Sequence, residues 1–345
     1  MYTIIDYLKY YKDTTIKHLK LNTQDFLLFS LLVYLPLDSF NTPKNFSEFL
    51  KYANKYKGRT NNSNTIETTY QILKIIANSR RYQDLKVEDF LQEEDNTTQF
   101  GAATFVLGKN KIIAFNGSNR SLISWMENIR IFYQYPTTTQ EKAIEYLKGK
   151  ITKNDDNVYV IGHSKGGNLA MVSAMELENN PLKKVKQIYN FDGPGLLKEE
   201  YQSKYKKIKH RLVTIIPSNS MVGILLHNEN YKVIKSKNHL IETHYPSSWC
   251  IFGEFFIEEN LKVFSNQLHN YTTTTLEKID RTLLSDTIEA LFLHLIQENT
   301  KDICFETIKE ALKKVKDIDP SVFRYLNTLL TSLITVNKKE RNKET

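Results

Sequence analysis

The chain has 345 residues, 41% hydrophobic and 12% aromatic, with a formal net charge of +8. That is enough for one large α/β domain or a domain with an appended helical part, and the longest apolar run, Phe26 to Leu37, contains Ser30 and is too short to span a bilayer. The charge is mostly lysine, in clusters such as Lys183-Lys184-Val185-Lys186, Lys204 to Arg211 and Lys338-Lys339-Glu340-Arg341 that are broken by acids and poor in arginine, so nucleic-acid recognition by forked donors is not indicated.

A solvated basic face is the expectation for these lysines, with peripheral contact to an anionic membrane surface as the alternative. Cys250 and Cys304 sit among apolar neighbours and read as buried free thiols of a reducing compartment; neither is spaced for zinc, so no metal or cofactor is implied. Met1 to Asp6 is not a basic segment leading into a long apolar one, and a cytoplasmic location is expected.

In chain order, residues 1 to 40 read as helices laid against a core. Residues 41 to 98 are mixed, with a helical stretch near Tyr70 to Ala77 and polar breaks at Asn61-Asn62-Ser63-Asn64 and Glu93-Glu94-Asp95-Asn96, and are expected to form a cap or insertion. Gly101 to Leu107, a turn at Gly108-Lys109-Asn110, and Lys111 to Phe115 predict a hairpin. A helix through Trp125 and Ile129 and another about Glu141 to Leu147 follow.

Strands are predicted at Val158 to Ile161, Gln187 to Phe191, Leu212 to Ile216 and Tyr231 to Ile234, with helices between. The alternation predicts an α/β fold with a mostly parallel sheet, helices on both faces and active residues at the strands' C-terminal edge. From about Leu261 the pattern is helical only: Leu276 to Ile296, Ile303 to Val315, and Val322 to Val336 after an Asp319-Pro320 start. The expected organisation is a domain over 1–260 with its cap at 41–98, a helical extension over 261–336 packed on it, and a frayed tail at 337–345.

Val158-Tyr-Val-Ile-Gly-His-Ser-Lys-Gly-Gly-Asn-Leu-Ala170 carries the most chemistry. A serine between glycines, after a buried strand and before a helix of small residues, fits the nucleophile elbow, a strained turn that presents its hydroxyl above the sheet. Gly162 and Gly166 are then steric requirements, and the helix N-terminus favours developing negative charge. Ser164 is the candidate nucleophile.

Acyl transfer also needs a base, a group that orients it, and oxyanion donors. The Lys165 N–H is one donor, and Ser118, in the Asn116-Gly117-Ser118 loop that ends the hairpin, is the candidate for the second; that loop is otherwise a simple turn. His244 follows the last predicted strand and is the candidate base, with His239 and His227 as rivals and His163 in a packing or supporting role. Asp192, at the end of the strand after the elbow helix, is the candidate acid. An Asp before Gly193-Pro194 serves its own turn equally well, however, and Asn219, Ser220 and Glu242 remain alternatives.

With these residues laid out, the chain resembles the class three lipases and, more closely, the Mbeg-like family of lipase-like α/β-hydrolases. The resemblance rests on Gln99-Phe100-Gly101-Ala102, Ile113 to Ser118, Ser124-Trp125, Gly162 to Ala170, Asn190-Phe191-Asp192-Gly193-Pro194-Gly195, Ser220-Met221-Val222-Gly223 and His244 to Trp249. At the N-terminal end, Asp6-Tyr7-Leu8 and Leu21 to Asp25 also match. It implies an α/β-hydrolase fold with Ser164 as nucleophile, Ser118 in the oxyanion loop and His244 as base.

The chain departs from the family in having Asn116-Gly117-Ser118 where Arg-Gly-Thr is usual, and Tyr245 where Asp follows the histidine. Class three lipases carry their acid where this chain has Ser218 to Ser220. Two functions follow as expectations: a serine hydrolase acting on carboxylic esters, including lipid esters, or a catalytically weak relative that uses the fold to bind a partner.

Overall fold

A computed structural model describes residues 1–57, 64–95, 97–119, 121–297, 305–314 and 319–327. The expected tail, Cys304, most of the polar break at 61–64 and the end of the last helix lie outside these residues. The sheet is assembled from β1 (Lys44–Asn45), β2 (Lys86–Glu94), β3 (Gln99–Leu107), β4 (Asn110–Phe115), β5 (Asn157–His163), β6 (Val185–Phe191), β7 (Leu212–Pro217) and β8 (Tyr231–Ile234), hydrogen-bonded in chain order. The pairs from β1 to β4 are antiparallel and those from β4 to β8 parallel.

Alternation along the central strands decides the layers. Ile112 and Ala114 of β4, Ile161 of β5 and Phe191 of β6 face one cluster, shared with α1 (Ile4–Tyr11), α2 (Thr23–Leu32), α3 (Phe46–Asn54) and α4 (Asn64–Ala77). Ile113, Phe115, Val158, Val160 and Ile188 face the other, against α6 (Thr138–Lys150) and α7 (Lys165–Met175), which follow α5 (Leu122–Arg130) in the chain. Each parallel crossover steps in the same direction, so right-handed connections put α6 and α7 on a single face and leave the opposite face to the N-terminal helices.

The N-terminal layer is tied down by a buried ion pair. Arg81 Nε donates to Asp25 Oδ1 at 3.0 Å, its Nη1 to Leu19 O at 2.8 Å, and Tyr82 and Tyr7 hydroxyls donate to the same carboxylate oxygen. Both charged side chains are completely buried.

Within 41–98, expected as a cap or insertion, the described residues are part of the main domain. They supply β1 and β2 of the main sheet, and α3 and α4 pack into its core.

α8 (Asn179–Lys184) and α9 (Lys198–Lys204) flank β6, and a small hairpin of β9 (Ile251–Phe252) and β10 (Phe255–Phe256) stands apart from the main sheet. The predicted helix Leu276 to Ile296 corresponds to α11 (Arg281–Gln297), and a further helix that was not predicted, α10 (Val263–Leu276), precedes it. The break between them falls where Asp280 caps α11, its carboxylate accepting from the N–H groups of Thr282 and Leu283 at 2.8 and 3.1 Å. α12 (Phe305–Lys314) and the helical residues 320–327 join α11 and α5 in a third apolar cluster. Among the described residues no helix is long and apolar enough to cross a membrane.

Candidate active site

Ser118, Ser164, Asp192 and His244 all lie beyond the ends of the parallel strands. β4 runs into Asn116 to Ser118, β5 into Ser164, β6 into Asp192, β7 into Ser218 to Ser220, and the segment after β8 carries His244.

Ser164 adopts φ 60° and ψ −134°, a conformation costing an L-residue about 1–3 kcal/mol. Hydrogen bonds hold it there: its N–H donates to Phe191 O at 2.9 Å, and its carbonyl accepts from Gly167 N–H at 2.8 Å. The glycines are dictated by contact. A Cβ on Gly162 would lie 2.1 Å from Gly166 O, and one on Gly166 would lie 2.2 Å from Phe115 O, so α7 can approach β4 and β5 this closely only with hydrogen at both positions. Ser164 is half-buried, and its hydroxyl has no hydrogen-bond partner among the described residues.

Asp192 is fully buried and also takes a positive φ, 51°. Its carboxylate does not serve its own turn. That task falls to Asn190, whose Oδ1 accepts from Gly193 N–H at 2.8 Å while Nδ2 donates to Gly193 O at 3.1 Å. Asp192 Oδ1 instead accepts from Ser220 Oγ at 2.5 Å and Gly223 N–H at 3.1 Å, and Oδ2 lies 2.7 Å from His244 Nδ1.

A carboxylate can only accept, so Nδ1 of His244 carries a proton, and in the neutral ring Nε2 is the nitrogen with the free lone pair. Ser220, weighed from sequence as an acid, supports one. Glu242 is exposed, Asn219 contributes its carbonyl to Thr243 Oγ1, and neither meets His244 through its side chain in these bonds. Of the rival histidines, His239 is exposed and His227 lies 3.3 Å from Glu277 on α10's C-terminal side.

His244 ends a 3₁₀ turn, Leu240–His244. The buried Trp249 pins that turn by donating Nε1–H to Thr243 O at 2.7 Å. A second tie comes from inside the elbow: His163 Nε2 donates to His244 O at 2.9 Å, and its Nδ1 accepts from the Tyr34 hydroxyl at 3.0 Å. Burial, with His244 beside it, pushes the His163 imidazole well below its ordinary pKa, so the ring is neutral. Sequence reasoning gave His163 a supporting role but missed Tyr34 altogether, which lies 129 residues away in the chain.

Ser118 leaves β4 in the expected loop, yet its hydroxyl is committed to Asn128 Oδ1 on α5 at 2.6 Å. The backbone N–H groups of Ser118 and Lys165 have no partners among the described residues. The Lys165 side chain is buried, with Nζ donating to Gln99 O at 2.9 Å and Gln99 Oε1 at 3.0 Å. Burial pulls this ammonium down to about 8, while Glu127 and Glu94 pull it up. Among the described residues no cluster of three or more metal-ligating side chains occurs. Cys250 is buried, and burial raises its thiol pKa.

Two solved lipases are among the structures that the chain is similar to. That from Rhizopus microsporus var. chinensis is 14% identical with a TM-score of 0.40, the match covering 71% of this chain and 82% of that one. The Rhizomucor miehei lipase propeptide complex is 15% identical with a TM-score of 0.37, covering 62% and 70%. Comparison with curated proteins gave no match. The Mbeg1-like family model matches residues 76–293, from the end of α4 into α11, a span that contains the elbow, Asp192 and His244; the chain belongs to the Mbeg1-like family.

Proposed function

We propose that this protein is a serine hydrolase that cleaves carboxylic esters through an acyl-enzyme on Ser164. Ser164 Oγ attacks the ester carbonyl as His244 Nε2 takes its proton. The Asp192 carboxylate stabilises the imidazolium, and the Lys165 and Ser118 N–H groups hold the oxyanion. Protonated His244 then gives its proton to the departing alkoxide, and water repeats the sequence to release the acid. The observation that carries this reading is the 2.7 Å pair of His244 Nδ1 and buried Asp192 at the strand edge where Ser164 is held at φ 60°.

A non-catalytic binding role is favoured by one observation: among the described residues no hydrogen bond joins Ser164 Oγ to His244. Apo sites often have loose catalytic bonds that tighten around substrate, which keeps the hydrolase reading ahead. A fluorophosphonate probe separates the two. Labelling of the wild type that vanishes in Ser164→Ala supports the hydrolase, and a folded, unlabelled wild type overturns it. Activity on p-nitrophenyl esters of increasing acyl length then tests whether lipid-like chains are preferred.

A further inference from the structure

A lysine is a costly choice directly after Ser164. The residue is 3% exposed and sits in the first turn of α7, where the helix dipole opposes a cation. Among the described residues no carboxylate lies within ion-pair distance of its Nζ. An apolar side chain would fill the space without these costs but would lack what the lysine ammonium donates. That is the pair of hydrogen bonds to Gln99, at the start of β3.

Those bonds orient the Gln99 amide. Oε1 accepts from Lys165 Nζ at 3.0 Å and from Ser124 Oγ of α5 at 3.0 Å. With its oxygen turned toward two donors, the amide must aim Nε2 the other way, and there it donates to Asn116 Oδ1 at 3.2 Å. Asn116 is in turn fixed by its N–H to Gly101 O at 2.9 Å and by Nδ2 to Gln92 Oε1 at 3.4 Å, and Gln92 is anchored on Val33 O at 2.6 Å. Asn116 opens the loop that presents the Ser118 N–H. One buried chain of bonds thus runs from the elbow to the loop expected to face it.

We propose that the Lys165 side chain is a positioning residue: by holding Gln99, and through Gln99 Asn116, it fixes the Asn116–Gly117–Ser118 loop relative to the elbow so that two backbone donors converge on one oxyanion. This inference rests on the hydrolase reading above. It assigns the side chain a task separate from the Lys165 N–H, which any residue at that position would supply.

The test compares Lys165→Met, Gln99→Met and the double variant with the wild type, by fluorophosphonate labelling rate and by kcat and KM on a p-nitrophenyl ester. Lys165→Met keeps the backbone donor, so its expected loss reports the side chain alone. Removing one oxyanion donor outright costs about 10²–10³ in kcat, and misplacing one is expected to cost about ten- to a hundredfold, with KM within about twofold. Gln99→Met should match it, and the double variant should be no slower than the worse single one, because both cut the same chain.

A labelled wild type with Lys165→Met at the wild-type rate, or losses that multiply in the double variant, overturns this inference alone. An unlabelled wild type overturns the hydrolase reading and this inference with it. Thermal melts show whether each variant folds. If Lys165→Met does not, Gln99→Met answers in its place, and a wild-type kcat there overturns the proposal.

Discussion

Replacing Asp192 by Asn tests the proposed triad with little change of shape. The Asp192 carboxylate takes three hydrogen bonds, from Ser220 Oγ at 2.5 Å, Gly223 N–H at 3.1 Å and His244 Nδ1 at 2.7 Å. The first two are donors fixed in the buried β7 loop and both reach Oδ1, so they dictate that the new amide keeps its oxygen toward them. Its NH₂ then faces His244 Nδ1. That nitrogen must accept, the proton moves to Nε2, and the ring loses the lone pair with which it would deprotonate Ser164.

A wrong tautomer of this kind costs about 10⁴ in kcat, or about 5.5 kcal/mol of barrier. Two of the three bonds survive and the third is replaced by an amide bond, so stability should fall by only about 1–2 kcal/mol. The assay is ester hydrolysis and fluorophosphonate labelling, with Ser164→Ala as the baseline and a thermal melt alongside. If Asp192→Asn folds and keeps its rate within tenfold of the wild type, Asp192 is not the group that sets the tautomer of His244, and the proposed triad fails.

Two further outcomes concern buried charges. Arg81→Met strips the counter-ion from fully buried Asp25, and urea denaturation should show a loss of about 3–5 kcal/mol; a loss below 1 kcal/mol would mean that the pair does not anchor the N-terminal helices. Burial lowers the Lys165 ammonium from 10.5 to about 8, so between pH 8 and 10.5 the unfolded chain binds the extra proton and this group's contribution to stability rises with pH. At about 1.4 kcal/mol per unit the full change is about 3.5 kcal/mol as an upper bound, and the melting temperature of wild type relative to Lys165→Met should rise from pH 7.5 to 9.5; a pH-independent difference contradicts it.

What could be read from sequence follows from the range of the interactions involved. The elbow is legible because its sterics are local: Gly162 and Gly166 meet backbone atoms a few residues away or on an adjacent strand, and only one residue type fits. The central strands are legible because both sheet faces are covered, which makes each an apolar run. β2 was missed because the signal is corrupted. Its register shifts between Val87 and Asp89, and its outer end, Gln92 to Glu94, is polar, so neither clean alternation nor a continuous apolar run appears. Asp192 could be nominated but not separated from a turn-forming aspartate, since the Asn190 side chain that takes over the turn is visible only in three dimensions. Gln99 and Tyr34 lie 66 and 129 residues from their partners in the elbow, and no local pattern connects them.

That long-range tie gives the N-terminal helices a part in the site. Tyr34 follows α2, donates its hydroxyl proton to His163 Nδ1, and thereby leaves Nε2–H to hold the His244 carbonyl. His163→Phe keeps a ring of similar bulk and removes both bonds, so the turn that carries His244 loses a tether; kcat should drop about tenfold, since about 1–1.5 kcal/mol is the typical net worth of one hydrogen bond.

The same substitution has a pH signature set by burial of the ring. His163 in the fold titrates well below 6.5, burial being the main cause. Below pH 6.5 the unfolded chain therefore takes up a proton that the native state refuses. Stability contributed by the neutral ring is intact above that pH and is lost as pH falls, by up to about 1.4 kcal/mol per unit. Melts at pH 7.5 and 5.0 should show a larger decline for wild type than for His163→Phe. Parallel declines would mean that His163 ionises in the fold as it does in water, which the buried bonds to Tyr34 and His244 do not allow.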